Sequence, residues 1–434
     1  MKLRINPVAV FGVLSMLVWA MGTAGQETGT PSSKEDDSGL EYRAGSTLGR
    51  QLEDGSLVKI LSDSVVARHL DAFLKALEGR YESGPGLIRF YGGAMFRDSL
   101  RTLNADTLVY YEDTQFALAI GRVLISQGMR TVTADTVQYR KAEKIIEARG
   151  NVTIRDDSTR SYIRGEAAVF NDSTNIGYIV GNPYLENIDD KGILMTVTAS
   201  DTLELLENDE IIRLWRNITA TRDSLVLTCS DTLEIYRNDN LVRLWSDVTA
   251  VQDSLTMRSK YAVFTSADET LVLTGEPEIV YQSAGEREEA LTTLLTTSTV
   301  KGDSVVVFFR DQRVRGAEIL GSSLSVILSE DSAGTVFDRS IIESRVMRLT
   351  MDEGVISQIS AEGTAQSYYY RTATDTGDMF VNNASGDTLT FFFDNGKIDE
   401  MKIFGFGGGL GKGTYYGYDE IRQAAADSTA ASPR

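Results

Sequence analysis

The stretch "SDTLELLENDEIIRLWRNITATRDSL" occupies Ser200–Leu225, and "SDTLEIYRNDNLVRLWSDVTAVQDSL" occupies Ser230–Leu255. The two align without a gap and agree at 15 of 26 positions. Apolar residues alternate within each copy. Leu203 and Leu205 share one face while Thr202 and Glu204 share the other, and the same holds for Ile212 with Leu214, Ile218 with Ala220, and Leu225 with Leu227. The second copy puts Leu233, Ile235, Val242, Leu244, Val248, Leu255 and Met257 in the corresponding slots. A period of two is the mark of a half-buried β-strand, because successive side chains leave opposite faces. Trp215 and Trp245 have the opposite parity. They are exposed, or cover the outside near a bulge, or mark a slipped register.

The doubled stretch belongs to a longer series. An acidic or polar residue opening an alternating run recurs at Asp106, Asp135, Glu166, Asp201, Asp231 and Lys260, at spacings of 29, 31, 35, 30 and 29. A Gly/Asn-type break before a second run recurs at Gly121, Gly150, Gly181, Arg216, Ser246 and Gly275, with the same spacings. Two interleaved series sharing the same irregularities indicate a tandem array. It extends backwards, since "LKALEGRY" lies 29 residues before "LNADTLVY". That register favours strand over the amphipathic helix suggested by "VVARHLDAFLKALEGRY". It extends forwards through Asp303, Ser344 and Asp387 at 41 and 43 residues. "DNG" at Asp394–Gly396 is a hairpin signal.

A period near 30 fits two strands of about 11 residues and two turns. The turns fall at "EDTQ", "QGMR", "KAEK" and "DDSTR", so neighbours run antiparallel. Asp106 and Gly121 are symmetric about 113.5, and Asp135 and Gly150 about 142.5. The special residue of each strand therefore faces that of the next. A line of such residues across a sheet is a crease. The expected fold is all-β: an elongated antiparallel V or two-layer roll of about ten repeated hairpins, with alternate apolar residues inside.

The remaining composition sets limits. Residues 1–24 carry Lys2 and Arg4, an apolar run, and Gly22, Thr23 and Ala24, the pattern of a cleavable secretory signal peptide; an uncleaved anchor helix is the alternative. Residues 25–45 are expected as a flexible leader, 46–285 as the main β-repeat domain, 286–418 as β-repeats with longer units, and 419–434 as a disordered tail. Net charge is −19 over 434 residues without a basic block, so nucleic acid is not an expected partner. One cysteine, Cys229, and one histidine, His69, leave no basis for a His-based triad or a Cys/His zinc site. No cofactor or metal is expected, and no enzymatic activity. The recurrent aspartates read as crease markers rather than carboxylate pairs or calcium ligands. "GFGGGLGKGT" (Gly405–Thr414) fails the phosphate-loop spacing.

"TADTVQYRKAEKIIEARGNVTIRDD" (Thr133–Asp157) resembles the repeating unit of OstA-like proteins, the LptA family of periplasmic lipopolysaccharide-transport proteins. The matching positions are Ala134, Asp135, Val137 and Tyr139, then Gly150, Asn151 and Val152. "NGKIDEMKIFG" (Asn395–Gly405) resembles later repeats of such proteins. The resemblance runs over roughly residues 57–418 and is strongest from 100 to 285. It implies a slightly twisted β-jellyroll whose V-shaped apolar groove holds the acyl chains of lipopolysaccharide or a related glycolipid. It further implies edge-to-edge stacking into a bridge between membranes, with an inner-membrane export complex and outer-membrane translocon proteins as partners. This chain has more repeats than a minimal member, and longer units after Asp303.

Repeat and resemblance converge on a non-enzymatic periplasmic glycolipid carrier. The expected groove lining is Leu203, Leu205, Ile212, Leu214, Ile218, Leu225, Leu227, Leu233, Ile235, Val242, Leu244, Val248, Leu255 and Met257. A headgroup would lie near basic turn residues such as Arg130, Lys141 and Lys144. The same residues equally form the packed core of a structural or adhesive repeat protein. A β-helix polysaccharide enzyme is the third reading, and it lacks the hairpin symmetry.

Overall fold

The computed structural model describes residues 41–416 apart from 70–71, 98–101, 112–113, 115, 141, 159, 172, 175, 189–191, 207–210, 237–238, 240, 287–292, 372–379, 395–396 and 406–411. The expected signal peptide, most of the leader, the tail, the Asn395–Gly396 turn, Lys141 and most of the Gly405–Thr414 run lie outside the described residues. The strand Glu41–Arg43 falls within the expected leader, where it pairs with Val66–Arg68.

Among the described residues there are 32 strands and no helix. The ladders are antiparallel from the N-terminal strands to the last. The segment that also reads as an amphipathic helix is strand, as Val65–His69, Ala72–Ala76 and Glu78–Glu82.

Along the expected crease line the backbone is irregular. Gly121–Arg122, Gly150–Asn151, Gly181–Asn182, Arg216–Asn217, Ser246–Asp247, Gly275–Glu276 and Gly363–Thr364 each place two successive residues at positive φ. At these points the ladder slips. Asp135 alone stands opposite Gly121 and Arg122, since Ala134 pairs with Val123 and Thr136 with Ile120. Glu166 alone stands opposite Gly150 and Asn151. An extra residue on one strand bends it and sharpens its twist. Where pairing lapses altogether, one run becomes two strands, as in Ile211–Trp215 and Ile218–Arg222.

Each strand thus has two arms, and successive hairpins alternate between them. In Phe116–Gln127 the first arm pairs with Thr107–Tyr111, and the second pairs with Arg130–Ala134 across the tight turn at Gly128. The longer C-terminal period comes from longer arms: Arg313–Glu330, Val336–Asp352 and Val355–Arg371 span 18, 17 and 17 residues.

The chain divides into two compact units. The first comprises the described residues to Asp223 together with Glu234–Asp239, and the second comprises Ser224–Leu233 together with the described residues from 241 onward. In the first unit the core is one face of the ladders. Leu108, Ala119, Val137, Ala148, Ala168, Ile179, Leu203 and Leu214 are cross-strand partners in sequence and all are buried. In the second unit the corresponding face carries Leu244, Ala262, Leu273, Val305, Ile319 and Met347, likewise buried. Trp215 and Trp245 are half-buried on the opposite face, immediately before crease residues 216 and 246. The Arg213 guanidinium lies 5.6 Å from the centre of the Trp215 ring.

Candidate functional site

The crease line is built of satisfied polar contacts. Arg122 donates to Asp106 from Nε at 3.0 Å and from Nη2 at 2.5 Å. Asn151 donates to Asp135 at 3.3 Å, Asn217 to Ser200 Oγ at 3.2 Å, and Ser230 Oγ to Asp247 at 2.9 Å. At Lys260 the sign reverses, and its Nζ donates to Glu276 at 2.6 Å. Hydrogen bonding from Arg122 holds the Asp106 carboxyl below its ordinary range, and Lys260 does the same for Glu276. A carboxylate held ionised by its own strand neighbour is a poor proton shuttle and marks a structural pair. Among the described residues no group of His, Cys, Asp and Glu is arranged to hold a metal ion.

The remaining candidate is the inward apolar face. Eleven of the fourteen expected lining residues are buried: Leu203, Leu205, Ile212, Leu214, Ile218 and Ile235 in the first unit, and Leu233, Leu244, Val248, Leu255 and Met257 in the second. Leu203, Ile212, Leu214 and Met257 have 0% exposure. Leu225, Leu227 and Val242 share the expected parity and are half-buried.

In the first unit the inward face of one arm is apolar to its end. Tyr110, Ala117, Tyr139, Ile146, Phe170, Gly177 and Leu205 are consecutive cross-strand partners there. The other arm is apolar in its middle, through Ile125, Val132, Ile154, Ile163, Leu185 and Val197. One residue pair nearer its end it turns polar, through Gln127, Arg130, Asp156, Ser161 and Asn187.

This polar row corrects the expectation for Arg130. It opens the strand Arg130–Arg140 instead of sitting in a turn, with the same parity as Val132, and its side chain is only 11% exposed. Its Nε donates to Asp156, which also accepts from the Ser158 amide at 2.9 Å and from the Ser158 hydroxyl. Burial pushes the Asp156 carboxyl up. The Ser158 and Arg130 contacts more than offset that, leaving it below its ordinary range. Asn187 donates to Ser161 Oγ at 3.1 Å. Sequence reasoning missed Asp156, Ser161 and Asn187 as inward residues. The available signal was their parity with Ile154, Ile163 and Leu185. Lys144 is exposed in its turn, as expected.

Cys229 is buried in the second unit, and its thiol donates to the Thr232 carbonyl at 3.4 Å. Burial pushes the thiol pKa up to about 12. A thiol so far from ionisation is no nucleophile at neutral pH.

No family model matches the chain. No curated protein matches it either. Among solved structures, the chain is similar to the crystal structure of LptH from Pseudomonas aeruginosa, described as the LptA homologous periplasmic component of the conserved lipopolysaccharide transport device. Identity is 15%, over 26% of this chain and 83% of that one, with a TM-score of 0.23.

Proposed function

We propose that this chain is a non-enzymatic periplasmic carrier that binds lipopolysaccharide or a related glycolipid by its acyl chains, on the inward face of a roll folded along the crease. The observation that carries the reading is the unbroken apolar row from Leu108 to Leu214 in the first unit, eight strands wide and buried throughout. A single layer exposes both of its faces, so residues at 0–4% exposure need a cover. In this reading the cover is the other arm, which makes a V-shaped jellyroll. An acyl chain between the arms replaces side-chain contacts with equivalent ones, at about 0.8 kcal/mol per buried methylene. Lateral movement along the row is transport. The export complex of the inner membrane and the translocon of the outer membrane are the partners, met at open strand edges.

The lining in this reading is Leu203, Leu205, Ile212, Leu214 and Ile218. Near-zero exposure at Leu203 and Leu214 also favours a second reading, an exported structural or adhesive repeat protein with a filled core. A diazirine-bearing residue at Leu214 separates the two. Covalent capture of glycolipid in an envelope preparation supports the carrier, and capture of protein neighbours alone supports the filled core.

A further inference from the structure

The strand Leu241–Gln252 crosses the crease at Ser246 and Asp247 and ends on Gln252, which is 4% exposed and shares the inward face of Val248 and Ala250. The Gln252 amide donates from Nε2 to the Gln312 carbonyl at 2.8 Å, and its Oε1 accepts from the Val314 amide at 3.1 Å. One side chain thereby binds two alternate backbone groups, as a strand edge does. These residues are 60 and 62 positions apart, and Leu241–Gln252 pairs in the ladder with Leu255–Thr265, not with this hairpin.

The hairpin is shaped to make this contact. Ser304–Arg310 pairs with Thr270–Thr274 only as far as Phe308, which stands opposite Thr270. After a last bond from the Phe309 amide to the Glu269 carbonyl at 2.9 Å, residues 310–313 overhang that ladder. The register then slips, with Phe308 opposite Gly316 and Phe309 opposite Val314, so Arg315 is extra. Such a bulge bends the hairpin. Asp311 and Gln312 close it with φ of 51° and 70°, the two-residue turn that follows strand twist. The Phe309 ring packs edge-on against Phe264 at 6.1 Å.

The inward face farther along this unit also changes chemistry. Ser298 and Ser340 stand opposite Ile327 on its two neighbouring strands, Ser325 precedes it by two residues on its own strand, and all three are buried. The Ser325 and Ser340 hydroxyls have no partner among the described residues. An acyl chain laid on them supplies none.

We propose that the overhanging 309–314 hairpin and Gln252 form a strap that shuts the arms of the second unit together, so that acyl chains are held in the first unit and excluded from the second. This rests on the carrier reading. The test uses the full chain, lipopolysaccharide micelles as probe, and a diazirine-bearing residue at Leu214 or at Leu273, which lies beside the strap hairpin opposite Val305. The expected result is lipid capture at Leu214 and at least about tenfold less at Leu273. In Gln252→Ala, capture at Leu273 should rise at least about fivefold, while exchange of the Val314 amide accelerates about tenfold for one lost hydrogen bond. The Ile319 amide should keep its protection, which reports that the unit remains folded. Equal capture at both sites in the unaltered chain overturns the strap. So does faster Val314 exchange with unchanged capture at Leu273. If Gln252→Ala unfolds the unit, Gln252→Met, which keeps the volume and loses both the donor and the acceptor, carries the same comparison. Absence of capture at both sites overturns the carrier reading itself.

Discussion

Gly150 stands against Asp135 with no space for a side chain: a Cβ built on it falls 2.7 Å from the Asp135 Cβ, at a φ of +78°. The same relationship links Gly121 to Asp106 and Gly181 to Glu166. Only glycine allows both the close approach and the left-handed backbone at little cost. The acid-and-glycine series is therefore a steric device that fixes the left-handed pair at which the ladder slips.

Gly150→Ala should destabilise the protein by about 2–4 kcal/mol, the left-handed penalty plus the clash. Gly128→Ala is the control. Gly128 has a φ of +55° with nothing within 4 Å of its virtual Cβ, so the cost should be about 1 kcal/mol. Urea unfolding of both variants checks the difference, and equal losses would contradict the steric account.

The Asp156 carboxyl lies below its ordinary range in the folded chain. Its contribution to stability is therefore complete above the unfolded carboxylate pKa of about 3.9, and it is lost as pH falls through the lower folded value. Asp156→Asn should cost about 1.5–3 kcal/mol at pH 7, as for a hydrogen bond to a charged group. The variant should also show a shallower fall in stability as pH drops below about 4. Unfolding midpoints over that range test both.

The Cys229 thiol, at a pKa of about 12, should react with iodoacetamide at pH 8 about three orders of magnitude more slowly than in the urea-unfolded chain. Mass-resolved alkylation kinetics measure this. Fast labelling under native conditions would mean that the Leu225–Cys229 strand opens.

Leu214→Ala removes a side chain of 0% exposure and should cost about 2–5 kcal/mol. Leu227→Ala, at a half-buried position of the same parity, should cost less. The order of the two thermal midpoints reports which inward positions are tightly packed.

Much of this was legible in the sequence because strands, turns and left-handed residue pairs all follow local rules. Positive φ recurs at 121, 150, 181, 216, 246 and 275, the interval series of the sequence itself. At 216 and 246 it does so on Arg and Ser, where no glycine announces it. The inward faces follow from parity alone. Charged inward residues were less visible, because Arg130 and Asp156 look like turn polar groups until the ladder places them beside Val132 and Ile154. The Gln252 strap was not legible at all. It depends on a hairpin overhanging by a few residues and on a bulge at Phe309, neither of which has a pattern signature.

Binding of glycolipid is most directly tested by purifying the full chain from a Gram-negative envelope, extracting it with organic solvent and identifying the lipids by mass spectrometry. The account predicts a co-purifying, exchangeable lipopolysaccharide or related glycolipid, displaced by added lipopolysaccharide micelles. A lipid-free chain that takes up no acylated glycolipid would contradict it and leave the apolar face as the core of a structural protein.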